Sequence, residues 1–146
     1  MAEAALNALG QGRFEAFSAG STPTGRINPF TLEVLRKHGH AVDHLRSKSW
    51  EEFAQPGAPE MDLVITVCDN AAGEVCPVWP GRPVGAHWSF EDPAAFVGPD
   101  EEKRVRFESI YRQIRDRMAQ LARLPAESLR GAALRERLKA LEQGSA

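Results

Sequence analysis

The chain has 146 residues, 42% of them hydrophobic and 26% charged, with a formal net charge of -2. That length suits one domain with a sizeable core, and the near-neutral charge excludes a general field that would draw nucleic acid or acidic membranes. No run approaches the roughly 18 apolar residues of a membrane helix. The N-terminal Met1-Ala2-Glu3-Ala4-Ala5 has neither a basic segment nor a long apolar one, so it does not read as a signal peptide. The expected compartment is the cytoplasm, where a functional cysteine pair cycles rather than forming a permanent bridge. Four histidines and two cysteines without a C-x-x-C pair argue against structural zinc.

In chain order, residues 2–9 have helical spacing, with Ala2, Ala5, Leu6 and Leu9 on one side. Gly10 and Gly12 end that helix, and no Ser, Thr, Asp or Asn precedes it as a cap. Residues 13–19 read as a strand with aromatic content, closed by Gly20. Asn28-Pro29 is a helix start, Asn as N-cap and Pro at the first helical position, with Phe30, Val34, Leu35 and His38 on one face and Gly39 as the stop. Residues 40–48 are polar and read as surface, and so do His38, His40 and His44. Ser49-Trp50-Glu51-Glu52 fits a capping box for a short helix.

Residues 63–67 form a β-branched apolar run, the pattern of a strand buried on both faces in a parallel sheet. Cys68 follows at its carboxyl end, where sites form in open α/β sheets. Val84-Gly85-Ala86-His87-Trp88 is a second strand candidate. Residues 100–124 make the longest helix, with Phe107, Ile110, Ile114, Met118 and Leu121 at helical steps and Pro125 beyond it. Ser128 is placed to cap a final helix to about Leu141, with Leu134, Leu138 and Leu141 inward and a solvated face of Arg130, Arg135, Glu136, Arg137 and Lys139. Alternating strands and helices predict an α/β fold with a parallel sheet.

Four features come forward as candidates for chemistry. Cys68 and Cys76 are the two cysteines of the chain, and Gly73 between them relaxes the backbone. If that segment folds back, their sulfurs can meet at about 2 Å; otherwise they are small buried hydrophobes. Cys76 to Arg82 is formally C-x5-R, the pattern of phosphatase anion loops. Such a loop works through successive backbone N–H groups at a helix N-terminus. Pro77 and Pro80 have none to give, and Pro83 leads into a strand, so the match is rejected. Asp92-Pro93, beside Trp88 and Phe90, offers either a general acid against aromatic surface or a plain helix-opening turn. His87 is either a base or a satisfied, partly buried histidine.

Taken together and in order, several stretches resemble the thioredoxin-coupled arsenate reductases, which share the low-molecular-weight protein tyrosine phosphatase fold. They are Ala2-Glu3-Ala4, Ser18-Ala19-Gly20, His44-Leu45-Arg46-Ser47-Lys48-Ser49, Val64-Ile65-Thr66-Val67-Cys68-Asp69, Cys76-Pro77-Val78-Trp79-Pro80-Gly81 and His87-Trp88-Ser89-Phe90-Glu91-Asp92-Pro93-Ala94. The resemblance implies a cytoplasmic enzyme of arsenic resistance that reduces arsenate to arsenite through a cysteine relay. In that relay a first cysteine in a C-x5-R loop attacks arsenate, and an aspartate matching Asp92 assists dehydration. A second cysteine, matching Cys68, attacks the first; a third, matching Cys76, closes a disulfide for thioredoxin to reduce. It also implies a potassium site at Glu3, Ser18 and Asp62.

In that family a strand and the C-x5-R loop precede the helix that begins here at Met1, and this chain has no cysteine before Cys68. The expectation is therefore a three-layer fold whose parallel sheet lacks its first strand, over residues 1–124, with an extra C-terminal helix in 125–146. The chain would be catalytically incomplete as written. It would be a monomer of marginal stability, or would complete its sheet by homodimerisation or strand swapping. Two other readings stay open: a tyrosine phosphatase relative, which leaves the cysteine pair unexplained, and a non-enzymatic dithiol or interaction module.

Overall fold

The computed structural model describes residues 1–10, 12–20, 25–67, 83–125 and 131–143, the side chains of residues 131, 142 and 143 excepted. The apolar run forms strand β1 (Leu63–Thr66), which pairs in parallel with β2 (Val84–His87). Leu63 lies opposite Val84 and Thr66 opposite His87. The described residues also form four α-helices: α1 (Ala2–Leu9), α2 (Pro29–Lys37), α3 (Asp100–Ala122) and α4 (Gly131–Gln143). Short 3-10 turns cover Trp50–Ala54 and Pro93–Ala95. The fold is α/β, as the alternation of elements predicts. Among the described residues no helix is long and apolar enough to cross a membrane.

The long helix α3 is the hub. Its periodic apolar positions bury two ways because a 3.6-residue repeat spreads them over more than one face. Phe107 and Tyr111 pack with Val34 and Leu35 of α2 and Ala4 of α1. Ile110, Ile114, Met118 and Leu121 pack with Ala5, Val84, Trp88, Leu134 and Leu138. The C-terminal helix α4 thus joins the central core through Leu134 and Leu138, while Arg135, Glu136, Arg137 and Lys139 face solvent. Asn28 caps α2 as the sequence predicts, its Oδ1 accepting from the Phe30 N–H at 2.9 Å. Gly39 takes a positive φ of 81°, a turn conformation that favours glycine, directly after the α2 cap. No side chain caps the start of α1.

Several expectations are corrected. Residues 13–19 form no strand, and among the described residues only Gly20, beyond their end, bridges in parallel to Ser49. A strand needs a neighbour for its backbone groups. Here Ala16 gives its N–H to Asn7 Oδ1 (2.8 Å) and its carbonyl accepts from Asn7 Nδ2 (3.1 Å), so a side chain of α1 takes the partner's place. Strand β1 is half-buried rather than buried on both faces, because a cavity of about 630 Å³ separates it from residues 13–17. Ser49 accepts from the Glu51 N–H (3.2 Å), but the capping box does not close. Glu52 pairs instead with Arg46 through two short hydrogen bonds of 2.8 and 2.7 Å.

His38 and His40 are not surface residues; both are half-buried around Tyr111. The His38 ring stacks on Tyr111 at 4.4 Å, and its Nε2 lies 2.8 Å from Glu108 Oε2. His40 Nε2 and the Tyr111 hydroxyl share a 2.5 Å hydrogen bond. Burial, and then the neighbouring His38, hold the His40 pKa below the ordinary histidine value. Burial pushes the Tyr111 phenol up. Burial alone would raise Glu108, but the hydrogen bond from His38 and the nearby Lys37 bring it below the usual carboxylate value. These groups staple α2 and the turn after it to α3.

Candidate active site

In a parallel pair both strands end on the same side, so their following loops meet. The carboxyl ends of β1 and β2 are tied by several contacts. The Thr66 hydroxyl and His87 Nδ1 lie 2.7 Å apart, the Trp88 N–H donates to the Thr66 carbonyl (2.9 Å), and the Phe90 N–H donates to the Val67 carbonyl (3.0 Å). His87 is thus a half-buried, partnered histidine on the strand end, the quieter of its two sequence readings. Trp88, 2% exposed, anchors the floor, with the Arg117 guanidinium 5.5 Å from its ring centre.

The Asp92-Pro93 turn follows directly. Asp92 Oδ1 accepts from the Ala94 N–H (2.9 Å) and caps the 3-10 turn, with Pro93 buried beneath it. The carboxylate is exposed rather than set against the aromatic surface, and its Oδ2 has no partner among the described residues. Arg106 of α3 steadies this loop from both ends: it pairs with Glu91 (3.1 Å) and stacks over the Phe96 ring at 4.1 Å. Cys68, Cys76 and the formal C-x5-R run lie outside the described residues. Val67, which precedes Cys68, is bonded to Phe90, which stands just before Glu91 and Asp92. The backbone therefore brings Val67 and the aspartate turn to one edge.

Glu3 and Ser18 meet: the Ser18 hydroxyl donates to Glu3 Oε1 at 2.7 Å. Asp62 does not join them through any contact among the described residues. It is exposed, and its carbonyl accepts from the Val84 N–H across the sheet. Nor do the described residues contain any group of three or more His, Cys, Asp or Glu able to hold a metal. A third partner, missed by the sequence reading, stands at Glu3 instead. The Lys48 ammonium lies 3.7 Å from Glu3 Oε1 and donates to the Arg46 carbonyl at 3.3 Å. A second cation there would sit against that ammonium, and two like charges about 4 Å apart repel by roughly 4 kcal/mol at a surface-like effective dielectric. The residues present do not fit a potassium ion. Nothing in the spacing of Arg46-Ser47-Lys48-Ser49 signals the burial of Lys48; Thr66, by contrast, could have been found as the polar residue closing the apolar run.

These features define an α/β protein with its candidate site at the carboxyl ends of parallel strands, beside an Asp-Pro turn. The low molecular weight phosphotyrosine protein phosphatase family model matches residues 1–139, and the chain belongs to that family. It is similar to arsenate reductases. The one from Halalkalibacterium halodurans is 31% identical over 115 residues, covering 79% of this chain and 76% of the relative. Those from Bacillus licheniformis and Bacillus subtilis are 32% and 30% identical over 110 and 109 residues, with 75% of each chain covered.

Proposed function

We propose that the chain acts in thiol-dependent reduction of arsenate to arsenite, supplying the part of the relay that receives and exports oxidation. Cys76 thiolate attacks the Cys68 sulfur of a mixed disulfide, expels the other thiolate, and leaves a Cys68–Cys76 disulfide. Thioredoxin or another dithiol, in a reducing cytoplasm, then gives two electrons to restore both thiols. Asp92 is the acid that protonates the departing oxygen at the arsenate stage. The observation that carries this reading is the Val67–Phe90 hydrogen bond, which brings the lead into Cys68 beside the Asp92 turn. The similarity to arsenate reductases supports the substrate. The primary nucleophile of such a relay is not among the 146 residues. The chain alone, given arsenate and a thioredoxin system, is therefore expected to release no arsenite and to hydrolyse no aryl phosphate. Turnover of either substrate that disappears in Cys68→Ser would sink this expectation.

A second copy of the chain as partner is favoured by the edge of β1. The Asp62 and Thr66 carbonyls accept from Val84 and Trp88, so this alternate set of residues faces β2. By alternation, Leu63 and Ile65 turn their N–H and C=O groups to the opposite edge, along the 630 Å³ cavity. That edge has no strand partner among the described residues, and an unpaired strand edge invites pairing with another chain. A dimer in sedimentation equilibrium at micromolar concentration is the expected result. A strictly monomeric species with one cooperative melt would refute it.

A further inference from the structure

We infer that the Lys48 ammonium is a built-in cation, taking at Glu3 and Ser18 the place that a monovalent metal ion would fill. Glu3 is the buried charged residue of α1, with 9% of its side chain exposed, and the Lys48 side chain is covered to a similar degree at 7%. Burying a carboxylate is costly unless a positive charge and hydrogen bonds compensate it. Glu3 Oε1 receives both: the Ser18 hydroxyl at 2.7 Å and the Lys48 ammonium at 3.7 Å. The ammonium in turn has its own acceptor, the Arg46 carbonyl at 3.3 Å.

The arrangement is built by three separate segments. Glu3 comes from the first turn of α1 and Ser18 from the stretch that ends at the Gly20 bridge. Lys48 stands next to Ser49, the other half of that bridge. The Gly20 N–H donates to the Lys48 carbonyl at 3.0 Å, so the bridge fixes the lysine backbone beside the segment that carries Ser18. Lys48 lines a small cavity of about 260 Å³ together with Leu35, Leu45 and Glu3, and its ammonium reaches Glu3. The consequence is that this fold needs no bound monovalent cation to neutralise Glu3.

Thermal unfolding of the full chain in potassium chloride against choline chloride, at equal ionic strength, tests the inference. The unaltered chain is expected to melt at the same temperature in both salts. Lys48→Met keeps the apolar stem and removes the charge. It is expected to melt about 10 °C lower in choline, the scale for stranding one partner of a buried pair in a domain of this size, and to recover part of that loss in potassium. Glu3→Gln with Lys48→Met removes both charges; it should melt above Lys48→Met alone and be indifferent to potassium. This double variant keeps the test decisive if Lys48→Met does not fold. A potassium-specific rise in the unaltered chain would overturn the inference. So would a folded Lys48→Met that melts with the unaltered chain or gains nothing from potassium, or a double variant no better than the single one.

Discussion

Mild oxidation of the unaltered chain is expected to form an intramolecular Cys68–Cys76 disulfide, and Cys76→Ser to abolish it and with it the substrate for thioredoxin. Two cysteines allow one intramolecular bond. Forming it needs Cα atoms near 5.5–6 Å apart, so the segment between Cys68 and Cys76 must double back, which Gly73 eases. Reduction by thioredoxin further requires a potential above about -270 mV, its own value. Mass spectrometry with thiol counting is the measurement. The unaltered chain should lose both titratable thiols on oxidation and regain them with thioredoxin, while Cys76→Ser keeps Cys68 titratable or links chains in pairs. Two free thiols after oxidation of the unaltered chain would leave the cysteines with packing roles alone and remove the redox reading altogether.

The second large effect is on stability. Leu121→Ala is expected to cost about 4–5 kcal/mol, in the upper part of the range for buried leucine truncation. Leu121 is 0% exposed and belongs to the core that joins Ala5 of α1, Trp88 beyond β2, and Leu134 and Leu138 of α4. It also lines the 630 Å³ cavity beside β1. Truncation would enlarge a void that already exists, where the surroundings have little left to collapse inward. A domain has about 5–15 kcal/mol of stability in all, so the urea midpoint should fall by a third or more of its value. Val105→Ala, on the solvent side of the same helix at 69% exposure, should shift stability by less than about 0.5 kcal/mol. Equal midpoints for the two variants would show that α3 is not the hub of the core.

The helices were legible because their signals act within a turn or two. Asn28-Pro29 names the start of α2 through a cap and a fixed φ, and Gly39 supplies the turn that follows it. The spacing from Phe107 to Leu121 names the inward face of α3. It missed Tyr111, whose burial depends on His38 and His40 from another helix end. The short strands were legible as runs of β-branched or apolar residues. Their depth was not: residues 63–67 read as doubly covered, and residues 13–19 read as a strand. Both errors have one cause, since burial and ladder pairing belong to whatever lies alongside.

The candidate site divides in the same way. The strand that leads towards the cysteine segment and the Asp92-Pro93 turn are properties of local order along the chain, and the sequence by itself determined them. The tertiary structure alone decided that the Val67 carbonyl meets the Phe90 N–H, that Asp92 serves as an exposed cap, and that Lys48 rather than Asp62 stands at Glu3. Propensities and caps are fixed by neighbours within a few residues. A buried ion pair or a parallel ladder needs groups brought together from distant segments, and their energies depend on the water that folding removes from around them.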